Sequence, residues 1–430
     1  MRTRENRSVT LTSEAPNRLA QQSGPSPTTV RRMQVVDLAR SIPLGVLMPL
    51  EQSVLLTIAL KRFDAPGPVK GLIAAAGGFG LLLSPFVTSL ARRTHRPAMV
   101  VASVLSTIGA FGFVLAASGS LATLTIGAIV GLASMNAIVP LMTVTYQRNF
   151  PTSERGKRVG WGLAVKVAVA AVVALLMGSL LKRHLNSWWL VVLCGAFASV
   201  VMAFLQLQMP SDSLDHVEGR RNRPWPHFDL LKSDRQLSLT LGAWMLMGFG
   251  NLMLLPLRVE YLAQPKYGIV ADAGKITLLT VAIPSVVRLL TMPLFGAVFD
   301  RMSFFAARIV VNLFFAVYIA AFFTGTSDAG LVFGAVALGV GSAGGDLMWS
   351  LWVTKFAPSD RVADYMGLHT FFTGVRAVGA PMLAFAVITK LPLGTVAVIA
   401  ALLMVAASLV LVPEARAERA RRRNGPAAAR

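Results

Sequence analysis

Twelve apolar stretches of roughly 20 residues restrict this chain to a small set of folds. They occupy residues 41–60, 71–90, 98–117, 121–145, 160–181, 187–207, 237–257, 275–298, 304–325, 329–353, 364–387 and 391–412. A helix needs about 20 apolar residues to cross the hydrocarbon core of a bilayer. The stretches are continuously apolar and do not alternate with a period of two, which favours helices over a membrane barrel. We therefore predict an all-α membrane protein with twelve transmembrane helices.

The overall composition also indicates a membrane protein. The chain has 430 residues, a mean hydropathy of +0.62 and 14% charged residues, whereas soluble domains contain about 25% charged residues. Cys194 is the only cysteine and lies inside an apolar stretch, so the chain holds no internal disulfide and no cysteine metal site. The sequence contains no phosphate-binding glycine loop and no metal-ligand motif. We therefore do not expect an enzyme, a cofactor or a resident metal.

The net charge of +21 is distributed unevenly along the chain. If both tails lie on one side of the membrane, most of the 41 Lys and Arg residues lie on that side, and loops rich in Lys and Arg stay in the cytoplasm. We expect a multi-pass protein of the inner, cytoplasmic cell membrane with both termini in the cytoplasm and the basic tails near anionic lipid. The basic cluster at 419–423 has no interleaved aromatic residues, so nucleic acid is not an expected partner.

The apolar stretches form two sets of six around the longest internal polar segment, Pro210 to Arg235, which is rich in loop-forming residues. Two bundles of this kind are the usual architecture of secondary transporters. We divide the chain into a disordered basic cytoplasmic tail, an N-terminal six-helix bundle, a cytoplasmic linker, a C-terminal six-helix bundle and a second basic cytoplasmic tail. These segments are 1–35, 36–207, 208–236, 237–412 and 413–430.

The two sets of stretches resemble each other in sequence. Residues 292–301 at the end of the eighth stretch parallel residues 83–92 at the end of the second. The later copy contains Gly296, Asp300 and Arg301 in a Gly-x-x-x-Asp-Arg pattern. This pattern resembles the signature of the major facilitator superfamily, which closes the second span of a half.

A second motif strengthens this resemblance. Pro151, Arg155 and Gly156 follow the fourth stretch, where the superfamily carries a Pro-x-x-x-Arg-Gly segment. The resemblance covers roughly residues 36–412 and implies alternating access with substrate bound between two six-helix bundles. The first half departs from the pattern, since Val87 replaces the expected glycine and the acidic residue before Arg92 is missing.

The signature residues and Arg155 are candidates for gating. A carboxylate at a helix end beside Arg301 and Arg308 could hold two cytoplasmic helix ends together and then release them. We therefore assign Gly296, Asp300, Arg301 and Arg155 to an inward-side latch. The alternative for Asp300 is a solvated turn whose surface ion pair contributes little.

Five charged residues lie at least six residues from either end of an apolar stretch: Glu51, Lys166, Arg288, Asp346 and Arg376. A charge in hydrocarbon is costly, so such residues normally face a protein interior or a water-filled path. We expect Arg288 and Arg376 to bind an anionic group of a substrate, or to form a structural ion pair with Asp346 or Glu51. Lys166 lies near the cytoplasmic end of its stretch, where snorkelling to the interface is the simpler expectation.

Polar residues elsewhere in the stretches complete the candidate site. Asn136, Asn251 and Gln52 could orient a polar ligand, although bridging between helices is the default role for such asparagines. A carboxyl group shielded from water can bind and release a proton near neutral pH. Glu51 is therefore the first candidate for proton coupling, with Asp346 and His369 as further candidates.

Together these features predict a monomeric secondary active transporter for a small anionic or zwitterionic solute, coupled to protons. The three cations and two carboxyl groups that lie deepest within the stretches favour an anion. The alternatives are efflux of amphipathic compounds, transport of a divalent metal by Glu51, Asp346 and His369, and a non-transporting membrane scaffold or sensor. A scaffold has no need for several costly charges at this depth, so we expect transport.

Overall fold

The computed structural model describes residues 25–214, 225–301, 303–357 and 361–424, and it describes only the backbone at some helical positions, chiefly 296–301, 354–356 and 421–424. The described residues contain twelve helices long and apolar enough to cross a membrane. We name them α1 Pro27–Phe63, α2 Gly67–Thr94, α3 Ala98–Ala116, α4 Leu121–Asn149, α5 Arg155–Arg183, α6 Leu185–Gln208, α7 Arg235–Ala263, α8 Ala273–Phe295, α9 Phe304–Phe323, α10 Asp328–Asp346, α11 Asp364–Val387 and α12 Leu393–Ala420. Each predicted stretch overlaps one of these helices, so the predicted fold class is confirmed.

Two helices extend into segments that the sequence assigns to the tails. Helix α1 begins at Pro27, and the helical conformation of α12 continues to Asn424. Ser26 caps α1 by accepting a hydrogen bond from the Thr29 backbone N–H at 3.2 Å, and Pro27 suits the first helical turn. The residues after 412 are mostly Ala, Arg and Glu, which favour helix without any apolar packing.

Capping residues set the starts of several other helices. A serine or aspartate side chain accepts a backbone N–H of the first turn, which satisfies a donor that the helix itself leaves free. The capping residues are Ser120, Asp234, Asp272, Ser303 and Ser327.

Helix α1 contains a local irregularity beside Glu51. Residues Leu50–Val54 form a π-helical turn directly after Pro49, and the chain then continues as a helix to Phe63. A π-helical turn inserts an extra residue and often occurs at functional positions. The structure accommodates Pro49 without breaking the span. A second π-helical turn, Leu278–Ala282, lies in α8.

The first six helices and the last six form two halves that meet along α2 and α11 and along α5 and α8. Small residues allow the close approach of α2 and α11. A Cβ at Gly78 would lie only 2.7 Å from the Ala377 backbone carbon, and a Cβ at Gly374 would overlap the Leu82 backbone. Small residues at such crossings are typical of membrane helices, where packing replaces the hydrophobic effect as the driving force.

The described parts of the linker between the halves, residues 208–214 and 225–236, lie at one end of the bundle, which we call the linker face. Its first part bonds to the first half, where Asn149 Nδ2 donates to the Pro210 carbonyl at 2.9 Å. Its second part contacts both halves: Trp225 packs edge-on against Phe86, with ring centroids 5.1 Å apart, and the Tyr365 hydroxyl donates to Asp234 at 2.7 Å. The linker therefore ties the two halves together at this end.

Candidate functional site

A cavity of about 550 Å3 lies between the two halves. Its polar and charged lining residues are Glu51, Gln52, Asn136 and Lys166 from the first half and Asn251, Arg258, Thr280, Ser285, Arg288, Arg308, Ser342, Asp346, Thr373 and Arg376 from the second. The structure thus brings together all the residues predicted to bind substrate or protons except His369. Their functional roles remain predictions.

Glu51 projects into the cavity from the π-helical turn of α1 and is exposed there. Its Oε1 accepts a hydrogen bond from Asn136 Nδ2 at 3.0 Å, and the same amide nitrogen also donates to the Leu132 carbonyl at 3.1 Å. Gly77 on α2 makes room for this contact, because a Cβ at that position would overlap Glu51 Oε1. The glycine, the amide and the carboxyl group therefore form one local unit built from three helices.

Lys166 lies in the cavity wall on α5 and does not point to the membrane interface. It is close enough to Glu51 and to Arg288 for direct electrostatic interaction with both. The expectation that this lysine snorkels to the interface is therefore wrong. The sequence shows only distance along a helix, whereas the structure brings the Glu51 carboxyl group to the same depth as Lys166 in the cavity wall.

Arg288 on α8 forms an ion pair with Asp346 on α10. The Arg288 side chain is 9% exposed and the Asp346 side chain is 32% exposed, so the carboxylate is the more accessible partner from the cavity. The sequence left open whether Arg288 binds a substrate or pairs with a carboxylate. In this conformation it pairs with Asp346.

Arg376 on α11 and Arg308 on α9 lie beside Trp244, and their environment differs from that of Arg288. Arg376 donates to the Trp244 carbonyl at 2.6 Å and to Thr373 Oγ1 at 3.2 Å. Arg308 donates to the Met247 sulfur at 2.9 Å. Among the described residues, neither guanidinium has a carboxylate within 4.0 Å.

Arg258 is a further buried cation of the cavity wall. It lies on α7 with 2% exposure and donates to the carbonyls of Leu255 and Thr280, both at 3.1 Å. Thr280 belongs to the π-helical turn of α8, and its hydroxyl lies 2.9 Å from the hydroxyl of Ser53 in the first half. Arg258 therefore supports the contact between the two π-helical turns.

His369 is buried at 1% exposure in a cluster of tryptophan rings. Its ring centroid lies 5.0 Å from that of Trp244, 5.4 Å from that of Trp349 and 5.1 Å from that of Trp352. His369 is not among the residues that line the cavity. In the described part of the chain no three His, Cys, Asp or Glu residues form a group that could hold a metal ion, so the geometry required for the divalent-metal alternative is not present.

The predicted gating residues fall partly outside what the structure describes. Gly296, Asp300 and Arg301 lie in the helical continuation of α8, and their side chains are outside the described part of the structure. Arg155 is described, and its guanidinium donates to the carbonyls of Gln147 at 3.1 Å and Phe150 at 3.3 Å. Its observed contact stabilises the carboxyl-terminal end of α4, whose last carbonyls lack partners within the helix.

The face opposite the linker is closed by contacts between the halves. Lys70 of α2 forms a 2.8 Å ion pair with Glu260 of α7, and the two side chains are 10% and 1% exposed. Lys61 donates to the Ala263 carbonyl at 3.3 Å. These contacts and the Ser53–Thr280 contact close the cavity at this end.

A more exposed ion pair lies at the rim of the same face. Lys182 of α5 contacts Asp272 before α8 at 3.0 Å, with side chains 59% and 43% exposed. The backbone N–H of Lys275 donates to the Asp272 carboxylate and, together with Lys182, holds the pKa of Asp272 below its ordinary range. Asp272 is therefore ionised at neutral pH.

Sequence reasoning missed three charged residues with important positions: Lys70, Arg258 and Glu260. It assigned Arg308 to the cytoplasmic latch, whereas the structure buries this side chain in the cavity wall. The predicted seventh stretch ended at 257 because the charges of Arg258 and Glu260 resemble a loop, whereas α7 continues to Ala263. Arg308 lies inside the predicted ninth stretch and could have been found by the same argument as Arg288. The pairing of Lys70 with Glu260 joins residues far apart in the chain, and no local signal indicates it.

Comparisons with known proteins agree with this architecture. The family model described as Major Facilitator Superfamily matches residues 42–368. The fold is similar to the D-xylose-proton symporter (TM-score 0.68, 13% identity, 89% of this chain and 97% of that chain covered). It is also similar to the nucleoside transporter NupG (TM-score 0.65, 15% identity, 89% and 98% covered).

A third similar structure has a defined conformation. It is the partially occluded inward-open xylose transporter XylE from E. coli (TM-score 0.65, 15% identity, 89% and 97% covered). A sequence search among curated proteins found no match. The family model covers well over half of the chain and the fold agrees with it, so this multi-pass membrane protein belongs to the Major Facilitator Superfamily of transporters.

Proposed function

We propose that this protein is a secondary transporter that moves a small organic anion or zwitterion by alternating access, coupled to protons. The supporting observation is the charge of the cavity wall. Five cationic side chains line it, from Lys166, Arg258, Arg288, Arg308 and Arg376, against two carboxyl groups. A cleft lined by an excess of one charge raises the local concentration of the opposite charge, so the cavity favours anions.

The contacts between the halves support alternating access. The cavity lies at the boundary of two six-helix bodies, and buried contacts such as Lys70–Glu260 join these bodies at the face opposite the linker. In transporters built from two related bundles, the bundles rock about a central site. We infer that this conformation is closed on the opposite face and that transport requires these contacts to break.

Glu51 is the proposed proton carrier. It is exposed in the cavity, yet it lies in the middle of a span and within range of the Lys166 ammonium group. Protonation removes its charge and weakens this attraction, so proton binding changes the electrostatics of the first half. Asp346 is the second candidate, because a proton or an incoming anion can compete with its ion pair to Arg288.

The proposed orientation follows from the distribution of basic residues. The linker face corresponds to the side of both tails, where Lys and Arg are concentrated. We propose that this face is cytoplasmic, in the inner cell membrane, and that the basic tails contact anionic lipid. A monomer suffices for this mechanism, because both halves of the cavity come from one chain.

The test uses purified protein in liposomes with a pH-sensitive dye inside. Small carboxylates, phosphate esters, amino acids and amphipathic cations are added one at a time, and solute-dependent proton movement is recorded. We expect movement with a member of the anionic or zwitterionic group and none with the cations. Movement with amphipathic cations alone would overturn the proposed substrate class.

The coupling role is tested by Glu51→Gln, with Glu154→Gln as the matched control. Glu154 is an exposed carboxylate that pairs with Arg158 within the first half. Glu51→Gln should abolish solute-driven proton movement while solute exchange across the membrane persists, and Glu154→Gln should behave as the wild type. Normal proton movement in Glu51→Gln would rule out Glu51 as the carrier.

A further inference from the structure

Two arginines of the second half meet at one tryptophan. The Arg308 guanidinium carbon lies 4.6 Å from the centre of the Trp244 ring, and that of Arg376 lies 5.8 Å from it. The two arginines are 3% and 6% exposed, and both line the cavity. They are close enough to interact electrostatically with each other. Two like charges are therefore held together at low exposure within a membrane-spanning bundle.

The contacts that these guanidiniums make do not neutralise them. Arg308 donates to a thioether, which is a weak acceptor, and Arg376 donates to a carbonyl and a hydroxyl. The Nε atoms of both arginines and the Nε1 atom of Trp244 are buried and have no hydrogen-bond partner. Three unpaired donors thus come from three neighbouring side chains. Buried donors of this kind normally have partners, and leaving one unpaired costs free energy.

The other buried arginines of the described structure show how such a charge is usually compensated. Arg288 pairs with Asp346, and Arg40 pairs with Asp37 at 2.9 Å. Arg258 has no carboxylate partner among the described residues, but its Nε donates to a backbone carbonyl and so is not left unpaired as the Nε atoms of Arg308 and Arg376 are. The stabilisation of a desolvated cation by an aromatic ring is smaller than the cost of burying an unpaired charge. Stacking on Trp244 alone therefore does not account for two buried guanidiniums.

We propose that Arg308, Arg376 and the Trp244 indole N–H form an oxyanion subsite that binds the carboxylate or phosphate group of the transported solute. This inference rests on the proposed function and adds a location to it. Guanidinium groups bind such oxyanions through paired, charge-assisted hydrogen bonds. An oxyanion here would supply both the missing negative charge and the missing acceptors. Arg288, already paired with Asp346, would not be the primary anion contact.

Binding to the purified full-length protein tests the subsite. The probes are inorganic phosphate, acetate and succinate, titrated by calorimetry at constant ionic strength with chloride as the balancing salt. We expect Arg308→Gln and Arg376→Gln each to weaken binding of the best probe by about tenfold or more, since each removes a charge-assisted donor. Arg62→Gln is the matched control, because Arg62 is exposed and lies away from the cavity. It should bind as the wild type does.

The outcomes separate this inference from the proposed function. Unchanged affinity in both Arg308→Gln and Arg376→Gln, with binding intact in the wild type, would overturn the subsite and leave anion transport standing. Loss of binding in Arg288→Gln but not in Arg308→Gln or Arg376→Gln would show that the anion binds at Arg288, and it would also overturn the subsite. If the wild type binds none of the anions and transports none, the proposed function fails together with the subsite.

A second measurement keeps both arginines in place, in case the glutamine variants do not fold. Met247→Cys is introduced beside Arg308 in a Cys194→Ser background, which is otherwise free of cysteine. The rate of its modification by a thiol reagent is compared with and without succinate or phosphate. We expect the anion that binds best to slow the modification severalfold, with no slowing for a cysteine at exposed Ser118. Equal rates with and without every anion that the protein binds would overturn the proposal.

Discussion

Glu260→Gln should shift the protein away from the conformation described here. Glu260 is 1% exposed, and its Oε2 lies 2.8 Å from the Lys70 ammonium group, which is itself 10% exposed. The pair joins α7 to α2 and therefore exists only while the halves are closed at the face opposite the linker. The amide of glutamine keeps a hydrogen-bond acceptor but removes the negative charge, which leaves Lys70 buried without a counter-ion.

The size of the shift follows from the burial of the pair. Removing one partner of a buried ion pair costs about 3–5 kcal/mol. The retained amide acceptor places the expected value near the lower limit, about 3 kcal/mol. At about 1.4 kcal/mol per factor of ten, the equilibrium between the closed and open states of this face should change by about a hundredfold.

Distances between spin labels on the two halves provide the assay. Labels at Ser118→Cys and Thr326→Cys, both exposed in loops of the opposite face, are attached in a Cys194→Ser background. Pulsed electron resonance should show one short distance in the reference protein and a dominant longer distance in Glu260→Gln. The Lys70→Gln/Glu260→Gln double variant should show a smaller effect than the sum of the two single variants, because the partners act together.

Asp272→Asn is the matched control on the same face. Its pair with Lys182 is largely exposed, with side chains 43% and 59% accessible, and exposed pairs contribute less than about 1 kcal/mol. The label distances should therefore remain close to those of the reference protein. An unchanged distance distribution in Glu260→Gln, or an equal shift in Asp272→Asn, would refute the reasoning that burial makes Lys70–Glu260 the main latch.

Three further changes test other parts of the structure. Gly77→Ala should cost about 1–3 kcal/mol through overpacking against Glu51 and should impair proton coupling more than solute binding, measured by dye-reported proton movement and calorimetry. Tyr146→Phe should lower thermal stability by about 1–3 kcal/mol, because it removes a 2.7 Å hydrogen bond to Asp37, which is 1% exposed. Because the folded state lowers the pKa of Asp272, its stabilising contribution is complete at neutral pH and is lost as the pH falls through that lowered value. Thermal unfolding from pH 7 to pH 3 should therefore differ between the wild type and Asp272→Asn mainly at the higher pH values.

The positions of the spans could be predicted because they depend on local properties of the chain. A continuous apolar stretch of about 20 residues crosses a bilayer whatever its neighbours are. The repeat of 83–92 at 292–301 similarly divides the chain into two halves without any knowledge of contacts. The helix ends were less predictable. Charged residues such as Arg258 and Glu260 resemble a loop, yet tertiary partners allow the helix to continue past them.

Some residues of the cavity could also be predicted from sequence, because a charged residue within an apolar stretch normally faces a protein interior or a water-filled path. We predict on this basis that Glu51, Arg288, Asp346 and Arg376 lie on a polar path, and all four line the cavity. His369 is only a further candidate for proton coupling by sequence, and the structure encloses its ring in tryptophan side chains. Hydropathy does not distinguish a cavity wall from an aromatic core.

The sequence by itself determined the twelve spans, the two halves and the presence of costly charges within the membrane, because each follows from composition and spacing along the chain. The family rests on the resemblance of two motifs and on the match to the family model. Only the tertiary structure decided which of those charges are compensated. Arg288 pairs with Asp346, whereas Arg308 and Arg376 both lie over the ring of Trp244. Ion pairing requires atoms within a few ångströms, and the packing of helices distant in sequence sets those separations.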